Sequence, residues 1–257
     1  MNVAAILPCR GRQAQTIVNV KRLLATAGYD QWRLYAIGGK EEADTLTALA
    51  KLGVQTMTAQ ADRLTYWQAL QEATSVTSEP LIATLANDLL PGMYWLRRAV
   101  AAYKDLFNGH DLHGMIGFNG DSHELSHSCH FLISRELVAR YGGWPVWYKH
   151  NYGDTELCER AIADSVYAKA PWAILYHDHP YWAGADDEVY AEGRATIERD
   201  QALYERRRRE RWASRSTSER RRAASSSICR SSRFSSRSRR SPRRWRSAST
   251  CFPGPRR

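Results

Sequence analysis

Short apolar runs alternate with helix-patterned segments through about the first ninety residues, and few architectures accommodate that alternation. Val3-Ala4-Ala5-Ile6-Leu7 is apolar throughout, as a strand covered on both faces must be. Pro8 ends it, and Cys9-Arg10-Gly11-Arg12 reads as a loop. From Gln13 to Ala27, Ile17, Val20, Leu23 and Leu24 recur at helical spacing, and Gly28 supplies a stop. Strands are then expected at Arg33–Ile37, Val54–Met57 and Leu81–Leu85, with helices at Glu41–Leu52 and Leu64–Ala73 between them. Strand–helix repetition of this kind predicts a parallel sheet with helices on both faces. In such sheets ligands bind beyond the C-terminal strand ends, so the residues just after each strand are where chemistry is expected.

The second half is less regular. Helices are expected at Met93–Leu106, Arg135–Arg140 and Asp154–Ala163, and strands at Met115–Phe118, His130–Ser134 and Trp172–Tyr176. A long polar helix is expected from Asp186 to about Trp212. No apolar run approaches the ~20 residues that a membrane span needs. The opening residues lack the basic n-region of a signal peptide. The five cysteines are scattered without a C-x-x-C pair, which points to a reducing, cytoplasmic setting and away from a disulfide framework or a cysteine zinc site.

Charge divides the chain sharply. Residues 1–205 carry 18 Lys+Arg against 25 Asp+Glu, a balance of −7. Residues 206–257 carry 19 Arg, no Lys and two Glu, a balance of +17, together with 14 Ser. The expected organisation is therefore a mildly acidic domain over residues 1–212 and an Arg/Ser-rich, low-complexity tail over 213–257. Such a tail has too little apolar surface to offset its ordering entropy.

Several strand ends carry groups suited to chemistry. In Pro8-Cys9-Arg10-Gly11-Arg12, two guanidiniums flank a glycine, and Arg forks match phosphate oxygens; a solvated turn is the plainer alternative. Asn87-Asp88 follows the fourth strand, where a carboxylate suits a hard divalent ion that substrate phosphates also bind. An N-cap for the following helix explains the same pair. Asp154-Thr155-Glu156 opens a helix; Asp154 is either its cap or a general base, and Arg160 at i+4 is the expected partner of Glu156. His177-Asp178-His179-Pro180 follows the last strand and looks like a metal or phosphate contact. His123, His127 and His130 fall at i, i+4 and i+7, but without an H-E-x-x-H pattern they read as a solvated loop at the site rim. Of the aromatics Trp144, Trp147, Tyr148, Tyr152, Trp172 and Trp182, most are expected in the core, with one or two left to stack on a sugar.

Taken in order, these pieces resemble a family 2-type glycosyltransferase of the GT-A fold over about residues 1–210. The matching elements are Pro8 to Arg12, Asn87-Asp88, Gly142-Gly143-Trp144, Asp154-Thr155-Glu156-Leu157 with Arg160-Ala161, and His177 to Pro180. The resemblance implies a UDP- or GDP-type sugar donor, a saccharide or other hydroxyl acceptor, and Mn2+ or Mg2+. Asp88 would face the metal-diphosphate, with His179, and His177 as second choice, as metal contacts. Pro8, Arg10, Gly11, Arg12 and Asn87 would surround the nucleotide. Gly142, Gly143, Trp144 and Glu156 would lie on the acceptor side, and Asp154 would be the base of a single inverting displacement. Three positions depart from the family pattern: the D-x-D motif is reduced to one carboxylate, the second strand ends in Gly38-Gly39 rather than an acid, and Gly153 stands where an acid is common. A nucleotidyltransferase is the alternative enzyme, although Arg10-Gly11-Arg12 is a poor substitute for a Gly-rich, Lys-containing loop. A nucleic-acid-binding protein acting through the tail is the non-enzymatic alternative.

The tail has no counterpart in that family. Arg, Ser, Pro, Trp and Cys without Lys is what a shifted reading frame through GC-rich coding sequence can produce, and a frameshift or gene-prediction artefact after about Arg206 is the expectation. Resequencing the locus is expected to show an alternative in-frame continuation after about residue 206. An uninterrupted frame without one would instead favour a real basic arm for nucleic acid or an anionic membrane surface.

Overall fold

The computed structural model describes residues 1–107, 113–120, 127–178 and 186–211. The chain divides into two compact units, Met1–Arg209 and Glu210–Arg257, and the first holds the fold. The proposed tail, 213–257, lies outside the described residues.

The described residues form one eight-stranded sheet between two helical layers. Strands β1 (Val3–Pro8), β2 (Trp32–Gly38), β3 (Gln55–Thr58) and β4 (Leu81–Thr84) are parallel. The antiparallel β7 (Phe131–Ser134) joins β4 to β6 (Met115–Asn119). Beyond lie β8 (Tyr167–His177), parallel to β6, and the short β5 (Leu89–Pro91), antiparallel to β8. The order across the sheet is β3-β2-β1-β4-β7-β6-β8-β5.

The alternation of apolar strand residues sorts them onto two cores. Val3, Ala5 and Leu7 face one core with Val20 and Leu23 of α1 (Gln13–Thr26), Leu46 and Leu49 of α2 (Ala43–Ala50), and Trp95 of α4 (Trp95–Leu106). Ala4 and Ile6 face the other with Trp67 and Leu70 of α3 (Tyr66–Val76), Leu137 of α5 (Arg135–Arg140), and Leu157 of α6 (Gly153–Ala163). β1 is thus sealed on both faces, which is why its sequence is apolar without interruption.

Three expectations change in the structure. The pair Asn87-Asp88 precedes a strand, β5, not a helix, so it caps nothing. Three residues are too few to show a period, and β5 exists only through its pairing with β8. β8 begins at Tyr167, five residues earlier than expected, because Pro171 sits where the β6–β8 register shifts between Phe118 and Asn119. A bulge tolerates the missing N–H of proline and hides the strand from a pattern search. The long C-terminal helix is broken at Thr196 into α7 (Glu188–Ala195) and α8 (197–209 of this unit), and Trp212 lies outside the described residues.

Trp144 anchors the second core. It is 1% exposed, stacks near Trp67 and Phe131 with centroids 6.3 Å from each, and donates its indole N–H to Thr74 Oγ1 at 2.9 Å. Trp144→Ala is expected to cost about 3–5 kcal/mol in urea unfolding, as large core truncations do. A cost below about 1 kcal/mol, ordinary for a surface change, would contradict this placement.

Candidate active site

The loop after β1 is built to aim an arginine across the sheet edge. Gly11 and Arg12 both adopt left-handed backbone, φ 56° in each. Glycine does so freely. At Arg12 the conformation costs about 1–3 kcal/mol, and it places this residue at the N-cap of α1. Asn87 braces the loop by donating its amide N–H to the Arg10 carbonyl at 3.0 Å. The buried Glu42 does so from the other side, accepting from the Gly11 N–H at 2.8 Å. The Gly38-Gly39 turn has its own steric reason: a Cβ on Gly39 would lie 1.9 Å from the Asp62 carbonyl oxygen.

Arg12 meets Asp88 at the switch between β1 and β4. Arg12 Nη1 donates to Asp88 Oδ2 at 2.9 Å, and both side chains are under 10% exposed. The Tyr190 hydroxyl donates to the same oxygen at 2.6 Å, and His177 Nε2 stands 3.4 Å away. The pairing of Leu89 with His177 across β5 and β8 explains the proximity. Burial alone would raise the Asp88 pKa. The hydrogen bond and charge of His177, the Tyr190 hydroxyl and the Arg12 charge outweigh it and hold the carboxyl far below the usual range. Asp88 Oδ1 is buried and has no hydrogen-bond partner among the described residues.

Helix α7 lies against the same loop. Asp187, its N-cap, accepts from Arg12 Nη2 at 2.8 Å and from Arg12 Nε. The Arg12 guanidinium also lies over the Tyr190 ring, 4.0 Å from its centroid. Burial disfavours the Arg12 charge, but Asp187 and Asp88 more than compensate and push its pKa up. Glu192 pairs with both Arg10 and Arg63. The sequence reading missed Asp187, Tyr190 and Glu192. An acidic run at a helix start is ordinary, and nothing local links it to residues 10–12.

These groups wall a cavity of about 430 Å³, within the ~300–1,000 Å³ of small-molecule sites. Pro8, Arg10, Arg12, Asn87, Asp88, Asp154 and His177 all line it. Gly11 shapes the adjoining loop. Asp154 lies in the first turn of α6, whose N-cap is Tyr152 in left-handed backbone, so Asp154 is not the cap. Tyr152 is itself in the wall. His127, His130 and His150 join the lining as well; His130 is buried, not solvated, and His123 lies outside the described residues. Cys9 is in the wall too, but burial, with a smaller contribution from Glu42, pushes its thiol up to about 12, so it is no ready nucleophile.

The expected acceptor-side residues are not brought to this wall. Gly142 and Gly143 close the end of α5, where their N–H groups return to the carbonyls of Ala139 and Val138. Trp144 is core. Glu156 is fully buried beneath the site. It accepts from the Tyr148 hydroxyl at 2.7 Å and from Arg207 Nε and Nη2 at 3.0 and 3.1 Å. The expected partner Arg160 is further off, at 3.9 Å. His179 and Trp182 lie outside the described residues.

Comparison with solved structures shows a GT-A glycosyltransferase-like fold. The mannosyltransferase PcManGT from Pyrobaculum calidifontis, solved with GDP-Man and Mn2+, superposes with a TM-score of 0.55 at 13% identity, over 68% of this chain and 56% of that one. TarS from S. aureus, solved alone and with UDP-GlcNAc, matches with a TM-score of 0.55 at 10% identity over 68% of this chain. A nucleotidyl transferase from Methanothermobacter reaches 0.49 at 16% identity, too loose a likeness to bear on function. The chain spans less than two thirds of the length of the first two proteins. No protein-family model matches the sequence, and no curated protein does.

The depressed Asp88 carboxyl has a consequence for stability. Its contribution is present above the unfolded carboxyl value of ~3.9 and is lost as pH falls from there toward the lower folded value. Asp88→Asn leaves Arg12 short of a buried partner and is expected to cost about 3 kcal/mol at pH 7. In urea titrations the gap between wild type and variant should stay level from pH 7 to pH 5 and narrow only in stronger acid. A gap that already shrinks between pH 7 and pH 5 would show that Asp88 titrates in its ordinary range.

Proposed function

We propose that the protein transfers a sugar from a nucleotide-sugar donor to an acceptor hydroxyl. The reading is carried by one observation: Arg12 at the N-terminus of α1, Asp88 beyond β4 and Asp154 at the N-terminus of α6 face a single cavity at the C-terminal edge of a GT-A-like sheet. The β1/β4 switch point is where open α/β sheets bind ligands. The N–H groups at the start of α1 and the arginines beside it suit a diphosphate. Neighbouring folds in complex with GDP-Man and UDP-GlcNAc support a donor of that class.

The donor set also fits a divalent ion, Mn2+ or Mg2+. Asp88 Oδ1 is a buried carboxylate oxygen with no other partner among the described residues, and His177 stands beside it. Those residues contain no group of three or more acidic, His or Cys side chains able to hold an ion, so diphosphate oxygens would complete the shell, as a hard cation accepts. When bound, the ion supplies charge stabilisation to the departing diphosphate. Arg12, braced by Asn87 and Asp88, orients the diphosphate at the head of α1. Asp154 takes the proton of the acceptor hydroxyl while the acceptor oxygen attacks the anomeric carbon and the nucleoside diphosphate leaves from the opposite face, inverting the configuration.

Calorimetric titration of the full chain with UDP and GDP, with and without Mn2+, tests the donor half. One of the two is expected to bind, more tightly with metal, and Asp88→Ala to abolish the metal enhancement. Asp154→Asn is expected to retain that binding and to lower transfer from the matching sugar nucleotide by about 10²–10⁴-fold, the usual worth of a general base. Undiminished transfer in Asp154→Asn would remove Asp154 from the mechanism. Failure of both nucleotides to bind folded protein would remove the donor assignment.

A further inference from the structure

Arg10, Arg12 and Arg63, which line the cavity, are all engaged by carboxylates of one short helix. Arg12 holds Asp187 through two N–H groups, and Arg10 and Arg63 converge on opposite oxygens of Glu192. The Tyr190 hydroxyl, from the same helix, occupies Asp88 Oδ2. Helix α7 therefore contacts both the cationic and the anionic half of the site. A carboxylate and a phosphate present the same planar arginine fork with similar oxygen pairs. Asp187 and Glu192 thus occupy donors that a diphosphate would use.

The geometry points to α7 as a cis-acting latch: its carboxylates stand in for the donor diphosphate on Arg10, Arg12 and Arg63, and donor binding displaces them. The inference rests on the donor reading above. The helix is suited to such exchange. It has eight residues, below the ~12–15 at which an isolated helix holds in water, and it contains Gly193, a poor helix former. It is delimited by the Asp187 cap at one end and the break at Thr196 at the other. The side chains of Asp187 and Glu192 are 34% and 41% exposed, and Arg10 and Arg63 are open enough for an anion arriving from solvent to reach them, whereas Arg12, 8% exposed, becomes accessible only as Asp187 leaves it. The donor's diphosphate matches the charge of the two carboxylates and can engage the arginines from one molecule, with free pyrophosphate and nucleoside diphosphates carrying more charge still.

The test compares wild type with the double variant Asp187→Asn/Glu192→Gln. Asparagine caps a helix as well as aspartate does, and both changes keep side-chain size, so α7 retains its start while losing the two competing charges. A control, Glu188→Gln/Glu198→Gln, removes the same charge from exposed acids nearby that do not touch Arg10, Arg12 or Arg63. Binding of pyrophosphate, UDP and GDP is measured by calorimetry. Partly exposed ion pairs compete only weakly, so the latch variant is expected to bind pyrophosphate and the preferred nucleotide roughly threefold to tenfold tighter, and the control within twofold of wild type. Amide exchange in residues 188–195 of wild type is expected to quicken when the ligand binds. Equal or weaker binding by the latch variant, an equal gain in the control, or slower exchange in α7 on ligation overturns the latch. Tighter pyrophosphate binding with no nucleotide bound by any of the proteins keeps the latch and overturns the donor reading. Absence of binding by every ligand to every variant overturns both.

Discussion

The buried Arg12–Asp88 pair is the interaction around which the site is organised. It joins the loop after β1 to the segment after β4 across the point where the sheet's strand order reverses. Each partner is an expensive group to bury alone, and each meets several others, although on Asp88 they all converge on Oδ2. Arg12 has Asp88, Asp187 and the face of Tyr190; Asp88 has Arg12, Tyr190 and His177. The pair therefore draws β8 and α7 toward the mouth of the parallel sheet. The left-handed backbone at Arg12 is a local strain that this network offsets.

A second set of contacts positions α6 from below. Asp200 is fully buried and accepts from the backbone N–H groups of Lys149, His150 and Asn151. Glu156, one turn into α6, is held by Arg207 and Tyr148. Both networks run from the C-terminal helices to the loop and helix that carry Tyr152 and Asp154. The last described helices of this unit thus do two things: α7 faces the cavity, and α8 supports the helix that presents Asp154. Glu156 belongs to that support rather than to a surface that meets substrate, because a carboxylate this buried and this fully paired has no oxygen to offer a ligand.

The parallel half of the fold was legible in the sequence because local signals coincide with it. Continuous apolar runs mark β1 and β4, and apolar residues at helical spacing mark α1. The strand-end rule then led from those elements to Pro8, Arg10, Arg12, Asn87, Asp88 and His177, all of which line the cavity. β5, the early start of β8 and the break at Thr196 were not legible. A three-residue strand has no period, a proline within a bulge looks like a strand boundary, and a helix break in polar sequence depends on what the two halves pack against.

What the sequence by itself determined is the alternation of elements and the positions of the strand ends, since these follow from periodicity and turn chemistry within a few residues. What only the tertiary structure decided is who meets at those ends. Asp187 and Tyr190 reach Arg12 and Asp88 across 175 and 102 residues of chain. Trp144 goes to the core and Glu156 to a buried ion pair, although their surroundings in sequence look no different from those of Asp154. Pairing over such separations is set by how the sheet order, the β5–β8 register and the helix packing close in space, and those are properties of the whole chain that no short segment encodes.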